Sequence, residues 1–186
     1  MFIRPFRKAY IQEQVENFLA LAPRNTILLS IFEWADSGLR VIDDTRVLLR
    51  NRILTPSLDC VSSRIFAIEH ELIRGNIHSA KAAFEQAVRS GECKWNCNLW
   101  ISYIRFCASN KELRSKAQDV FYRALRHCPW SKDIMMEAFG SLIRDMKSED
   151  LRSVYETMTS KGLRVHVDMD EFMEKRRADA FKGHRK

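Results

Sequence analysis

The sequence predicts an all-α protein in which antiparallel helix pairs stack into a right-handed, TPR-like helical solenoid. Three observations favour this fold class. Apolar residues recur at spacings of three and four along most of the 186 residues. Glycine and proline, which interrupt helices, occur only six and four times. A two-helix unit also recurs at a period in the mid-thirties, which is typical of helical repeat proteins.

The clearest copy of this unit lies in residues 98–136. Its first helix presents an apolar face formed by Trp100, Tyr103, Ile104 and Cys107. Its second helix presents another, formed by Leu113, Ala117, Val120, Phe121, Ala124 and Leu125. A polar break at Ser109 and Asn110 separates the two helices, and Pro129 ends the second because proline lacks an amide hydrogen. The segment therefore predicts two helices folded back on each other.

The second helix of this unit has counterparts at Ala80–Ala87 and Asp150–Met158. Phe84, Phe121 and Tyr155 occupy equivalent positions and are 37 and 34 residues apart. One such unit cannot bury its apolar face alone, so the pattern predicts that the units stack.

The remaining helices are predicted from the same periodicity and from turn residues. Their expected ranges are Arg7–Leu21, Thr26–Ala35, Val41–Leu54, Leu58–Arg74 ending at Gly75, Ile77–Arg89, an eighth helix from Ser131 through Ile143, and Ser148–Gly162. The helix at Thr26–Ala35 is apolar nearly all round, which predicts burial from both sides. An extended segment at Leu163–Val167 and a last helix at Met169–Phe181 do not fit the repeat and predict a cap.

These elements predict three regions. Residues 1–22 form the partial leading helix of an incomplete repeat, residues 23–162 form the repeats, and residues 163–186 form a capping helix and a basic tail. Apolar positions on the leading helix (Phe2, Ile3, Phe6 and Tyr10) predict an open end. A longer native protein or a dimer through this end accounts for that exposure.

Composition narrows the class of protein. Apolar residues make up 46% and charged residues 30%, as in ordinary soluble domains. No apolar run approaches the length of a membrane span and no signal peptide is recognisable, so an intracellular protein is expected. The five cysteines are predicted to be reduced, buried thiols. Cys93 and Cys97 lack a second ligand pair at zinc-site spacing, so no metal is expected.

The sequence lacks the motifs that catalysis would require. It contains no glycine-rich phosphate loop, nucleophile elbow or zinc-binding histidine pair, so neither an enzyme nor a cofactor is predicted. The acidic pairs Asp43–Asp44 and Glu149–Asp150 fall at helix starts, where their negative charges interact favourably with the helix dipole. Trp100, Tyr103, Phe121 and Tyr122 have helical spacing, which favours a core position over stacking on RNA bases. Tyr122 and Arg123 lie off the core face and remain the alternative candidates for such a contact.

The net charge of +7 is concentrated at the C-terminus, where six basic residues less Glu174 and Asp179 leave +4. The candidate nucleic-acid or acidic-partner contacts are Lys175, Arg176, Arg177, Lys182, Arg185 and Lys186, together with the helix-face residues Arg105, Arg123 and Arg126. A nuclear localisation element and a solvated tail without a ligand are the alternatives for the C-terminal charges.

Two levels of resemblance follow from these residues. Leu99–Phe106 and Ala117–Leu125, followed by a proline, resemble the half-a-TPR (HAT) repeat of RNA-processing proteins. Arg64–Glu71, His127–Asp133 and Met158–Val165 resemble the C-terminal repeats of the nuclear RNAi-defective family, and the likeness extends from about Pro23 to Phe172. Members of that family are much longer.

The resemblance implies a nuclear, non-enzymatic role in small-RNA silencing, heterochromatin and RNA surveillance or splicing. It also implies contact with the exosome-associated RNA helicase, although the family's helicase-binding segment lies upstream of these repeats. We therefore expect a nuclear scaffold that holds RNA-processing or silencing proteins, with the concave face of the solenoid as the binding surface. A module that binds RNA directly through its basic helix faces and tail is the alternative.

Overall fold

The computed structural model describes residues 5–36, 43–163, 168, 171, 174 and 175, which contain helices and turns but no β-strand. The α-helices are α1 (Pro5–Leu21), α2 (Thr26–Asp36), α3 (Asp44–Leu48), α4 (Val61–Ile73), α5 (Ile77–Arg89), α6 (Cys97–Ser109), α7 (Arg114–His127), α8 (Lys132–Glu137) and α9 (Ser148–Ser160). The chain divides into two compact units, an N-terminal unit (Met1–Lys94) and a C-terminal unit (Trp95–Lys186). The all-helical prediction is confirmed for the described residues.

In the N-terminal unit, helices that are adjacent in the chain pack on one another. Helix α1 packs on α2, α4 packs on α5, and α2 also contacts α3 and α4. Apolar residues from these helices form one buried cluster: Val15, Leu19, Leu29, Phe32, Leu48, Leu49, Ile53, Phe66 and Ala67. Burial of this cluster provides the main driving force for folding of the unit.

Helix α2 is buried on one face only. Leu29 and Phe32 are buried, but Ile27, Ile31 and Trp34 are exposed. The prediction that this helix is buried from both sides is therefore wrong. The exposed side chains recur at spacings of four and three, so they form a second apolar stripe away from the packed face.

The helix that begins at α3 changes type along its length. It is α-helical to Leu48 and then π-helical over Leu49–Ile53, and the Leu54 amide donates to the Leu49 carbonyl at 2.8 Å. The sequence predicts one continuous α-helix here, because periodicity alone does not distinguish an i→i+5 turn from an i→i+4 turn.

In the C-terminal unit, α6 packs on α7, α8 contacts both, and α9 packs on α8. Trp100, Tyr103 and Phe121 have no exposed surface, which confirms their predicted core position. The predicted eighth helix is too long, since α8 ends at Glu137. Beyond it the chain forms turns in which the Leu142 amide donates to the Glu137 carbonyl at 3.1 Å. Leu142 is nevertheless buried, so the apolar pattern continues beyond the end of the helix.

Helix ends follow the expected chemistry. The side chains of Asn76, Asn96 and Ser131 accept an amide hydrogen three residues later and so begin α5, α6 and α8. Gly75 and Gly162 have φ of 72° and 68° and terminate α4 and α9, as predicted.

Several sequence predictions fall on other parts of the chain. The extended segment at 164–167, most of the capping helix, and the side chains of Phe2, Ile3 and Phe6 lie outside the described residues. Tyr10 of the predicted open end is exposed. None of the helices in the described ranges combines the length and the hydropathy that a membrane span requires.

Candidate partner-binding surfaces

His70 is the centre of a buried polar network in the N-terminal unit. It is 1% exposed and lies between carboxylates from α2 and from the start of α3. Its Nδ1 contacts Glu33, and its Nε2 lies 3.1 Å from Asp43. Asp43 also pairs with Arg74 at 3.1 Å and accepts the Arg46 amide at 2.9 Å. The network therefore fixes α2, α3 and α4 to one another.

The carboxylate of Asp43 is stabilised in its charged form. Burial by itself would raise the pKa of Asp43. The amide of Arg46 and the charges of His70 and Arg74 outweigh burial and lower that pKa. Folding therefore favours the ionised carboxylate.

Two forked arginine pairs border the same region. Arg46 donates from Nε at 2.8 Å and from Nη2 at 2.6 Å to the two carboxylate oxygens of Glu71. Arg64 donates in the same way to Asp59, at 2.7 Å and 2.9 Å. Bidentate geometry of this kind fixes the direction of both side chains. The hydrogen bond with Glu71 raises the pKa of Arg46 against the opposing effect of burial.

A cleft of about 570 Å³ opens between α4, α5 and the helix formed by α3 and its π-helical end; we call it the arginine cleft. Small or apolar residues line part of it: Leu49, Leu54, Ala67, Ala82 and Ala83. Polar residues line the rest: Arg46, Arg50, Arg64, Glu71, Ser79, Gln86, Arg89 and Ser90. The described lining residues include four arginines and one glutamate, and two of these arginines, Arg46 and Arg64, are paired with Glu71 and with Asp59.

Two of these arginines remain available to a ligand. Arg50 is exposed and has no ion-pair partner in the described part of the chain. Arg89 is 78% exposed and lies 3.7 Å from Glu85, so the ion pair is long and the guanidinium stays in contact with solvent. Arg50 projects from the π-helical segment and Arg89 ends α5, so the two lie on different walls of the arginine cleft.

Trp95 and Trp130 form an exposed aromatic surface on the C-terminal unit, here called the tryptophan shelf. The two side chains are 50% and 58% exposed, and their rings lie 6.2 Å apart at an angle of 30°. The His127 ring contacts Trp95 with its edge and stacks on the buried Trp100 at 5.6 Å. His127 therefore connects the shelf to the core of this unit.

The predicted basic contacts that the structure describes lie in different surroundings. Arg105 is paired with Glu137 at 2.6 Å, and this hydrogen bond raises the pKa of Arg105. The Arg123 guanidinium lies 5.6 Å from the centre of the Trp100 ring. Arg126 and Lys175 are exposed. The other predicted contacts lie outside the described residues: Arg176, Arg177, Lys182, Arg185 and Lys186.

Helical periodicity in the sequence predicts neither the arginine cleft nor the tryptophan shelf. Both depend on residues far apart in the chain, such as Trp95 and Trp130. A signal for the shelf was present, because Trp130 follows the helix-ending Pro129 and so lies outside any helical apolar face. A large aromatic residue outside the periodic pattern is a candidate for exposure.

All five cysteines are free thiols. Cys93, Cys107 and Cys128 are buried, as predicted, whereas Cys60 and Cys97 are only partly buried, so the prediction is wrong for these two. Burial, together with the neighbouring Cys97, raises the pKa of the Cys128 thiol to about 12. In the described ranges no three His, Cys, Asp or Glu side chains converge as metal ligands would.

Comparison with known proteins gives a consistent set of relatives. The chain is 29% identical over 187 residues to nuclear exosome regulator NRDE2 of Mus musculus, covering 88% of this chain and 15% of that protein. It is 28% identical to the Homo sapiens protein of the same name, over 92% of this chain and 16% of that protein. The Dictyostelium discoideum protein of that name is 27% identical over 55% of this chain and 8% of its own length.

Neither a protein-family model nor a solved structure matches the chain. The names of the relatives confirm the predicted nuclear localisation. The chain spans about one sixth of the mouse and human relatives. Over most of its own length it is therefore similar to the nuclear exosome regulators named NRDE2.

Proposed function

We propose that this chain is a non-enzymatic scaffold in nuclear RNA processing, which binds protein partners through the surface of its helix pairs. The arginine cleft is the observation that carries the proposal. Ion pairs fix the positions of Arg46 and Arg64 in the walls of this cleft. Two further arginines of the lining are available to a ligand. The relatives bear the name of a regulator, which fits a protein that acts by binding.

The resemblance to the nuclear RNAi-defective family suggests where such a scaffold acts. Small-RNA silencing, heterochromatin and RNA surveillance are the processes it implies. The exosome-associated RNA helicase and splicing factors are the corresponding candidate partners. Contact with the helicase depends, in that family, on residues upstream of the repeats.

We further propose that the helix pairs are HAT-type repeats of a right-handed solenoid. Two matched bridges support the repeat. The Gln12 amide donates to Asp44 at 3.3 Å, and the Gln118 amide donates to Asp150 at 3.4 Å, each over 32 residues. Each bridge joins one helix to the start of the helix two further along, within a single unit.

This register assigns the pairs α2–α3 and α4–α5 to the N-terminal unit and α6–α7 and α8–α9 to the C-terminal unit. Helix α1 then stands where the second helix of a repeat would stand, in keeping with residues 1–22 as part of an incomplete repeat. Residues 163–186 are the proposed cap and basic tail.

Capture of partners from nuclear extract tests the scaffold. The immobilised chain is incubated with extract before and after nuclease treatment, and bound proteins are identified by mass spectrometry. We expect RNA-processing proteins to remain bound after nuclease treatment. Loss of every partner on nuclease treatment would contradict the proposal and favour binding through RNA.

Direct RNA binding is the second candidate function, and the tryptophan shelf is the observation that favours it. Exposed indole rings stack on bases irrespective of sequence, and the exposed Arg126 lies on the same unit. Arg105, Arg123 and the C-terminal basic residues would supply further charge in this alternative.

If RNA binds the shelf, Trp130→Ala is expected to weaken binding about tenfold, because stacking on one base contributes about 1–3 kcal/mol. Fluorescence anisotropy of a labelled single-stranded RNA, measured over a range of salt concentrations, gives the affinity. Trp34→Ala is the matched control, since Trp34 is an exposed tryptophan of the other unit. Equal binding by both variants would exclude the shelf, and removal of residues 175–186 would then test the tail.

A further inference from the structure

We propose that the arginine cleft is the docking site for an extended, acidic segment of a partner protein. The inference rests on the proposed scaffold function and specifies the chemistry of what the scaffold holds. Charge complementarity is the first argument, because Arg50 and Arg89 remain exposed in the described lining after Arg46 has paired with Glu71 and Arg64 with Asp59. A segment rich in aspartate and glutamate matches this surface.

The four arginines divide into two groups with different roles. Arg46 and Arg64 are held in bidentate pairs with Glu71 and Asp59, and the side chains of Arg64 and Asp59 are both largely buried. These two arginines shape the cleft. Arg50 and Arg89 are exposed and project from different walls, so a ligand in the cleft meets an available guanidinium on each side.

The remaining lining fits an extended peptide. Ala67, Ala82 and Ala83 have small side chains that let a peptide backbone come close. Ser79 and Gln86 of α5 carry polar groups suited to hydrogen bonds with backbone amides and carbonyls. The acidic side chains of such a peptide would then point toward Arg50 and Arg89.

The same lining argues against nucleic acid as the occupant. Among the described residues, no aromatic side chain lines the arginine cleft, so the described lining offers bases no stacking surface.

The π-helical turn is a second feature of the cleft. Leu49 and Arg50 belong to this segment, Leu54 follows it, and all three line the cleft. Single π-helical turns within α-helices are uncommon and occur frequently at functional sites. Here the turn sets the position from which Arg50 projects.

Binding of a fluorescein-labelled peptide of alternating glutamate and alanine, followed by anisotropy, tests the proposal. The double variant Arg50→Glu, Arg89→Glu is expected to bind this peptide at least about tenfold more weakly than wild type, because two attractive contacts become repulsive. Arg152→Glu has the same type of charge change at an exposed site on α9 and is expected to bind normally. Wild-type affinity is also expected to fall as salt is added.

Two results would overturn the proposal: no binding of the acidic peptide by wild type, or equal binding by wild type and the double variant. Circular dichroism verifies that both variants fold. A labelled single-stranded RNA is measured in parallel, and loss of RNA binding in the double variant without peptide binding by wild type would assign the cleft to nucleic acid instead.

Capture from nuclear extract separates this inference from the scaffold function. If wild type retains nuclease-resistant partners and the double variant retains the same ones, the scaffold stands and the cleft is not its binding site. If wild type retains none, the scaffold function itself fails, and peptide binding would then count as an isolated property of the cleft.

Discussion

Replacing Trp100 with alanine is expected to destabilise the C-terminal unit by about 3–5 kcal/mol, the usual range for removal of a large buried aromatic side chain. Trp100 has no exposed surface and supports two other side chains. His127 stacks on its ring at 5.6 Å, and the Arg123 guanidinium lies 5.6 Å from its centre. Alanine would remove these contacts, which help to pack α6 on α7, and would leave a cavity.

Hydrogen exchange followed by mass spectrometry measures this effect on the unit concerned. We expect faster exchange in peptides from α6 and α7, and a lower urea midpoint by circular dichroism. Trp130→Ala is the matched control, because it removes the same side chain from a site that is 58% exposed. Similar losses of stability for the two variants would contradict the assignment of Trp100 to the core and Trp130 to the surface.

The difference between these tryptophans shows what sequence periodicity can predict. Trp100 belongs to a run of apolar residues at helical spacing, and that run correctly predicts a buried face on α6. Helix α5 is predicted with its observed bounds, Ile77–Arg89, for the same reason. Local patterns suffice where one face of a helix is buried and turn residues mark both ends.

Periodicity fails where tertiary packing decides the outcome. Ile27, Ile31 and Trp34 are apolar but exposed, because α2 packs through its other face. Leu142 is buried although its backbone is not helical, so its apolar character does not report helix length. In both cases the sequence pattern shows only that the residues are hydrophobic. Tertiary packing determines whether they are buried and whether their backbone is helical.

The candidate surfaces were beyond prediction from local sequence. Arg46 and Glu71 are 25 residues apart, yet they meet as a bidentate pair that helps form the arginine cleft. Of the predicted basic residues, Arg105 proves to be neutralised by Glu137, 32 residues away. The packing of the helices determines which charges are paired and which are available. Local sequence patterns therefore do not predict this pairing.

Asp43→Ala is expected to have the second large effect, a loss of about 2–4 kcal/mol from the N-terminal unit, since it removes a helix cap and several charge-assisted hydrogen bonds. Asp43 accepts the Arg46 amide at 2.9 Å and faces His70 and Arg74, each at 3.1 Å. Alanine leaves the buried His70 Nε2 without this carboxylate. Asp43→Asn retains a residue able to cap the helix, so its loss is expected to be smaller.

The pH dependence identifies the charge of Asp43 as the cause. Folding lowers the pKa of Asp43, so its contribution to stability is present above the unfolded value of about 4 and is lost as pH falls through the lower, folded value. The difference in urea midpoint between wild type and Asp43→Asn should therefore be largest near neutral pH and shrink in acid. The folded-state pKa of Asp59 is lowered too, and because Asp59 remains in every variant, its acid-dependent loss is common to all. A difference that stays constant from neutral to acid pH would show that Asp43 acts through shape alone, and that the carboxylate between His70 and Arg74 is not what holds α3 to α4.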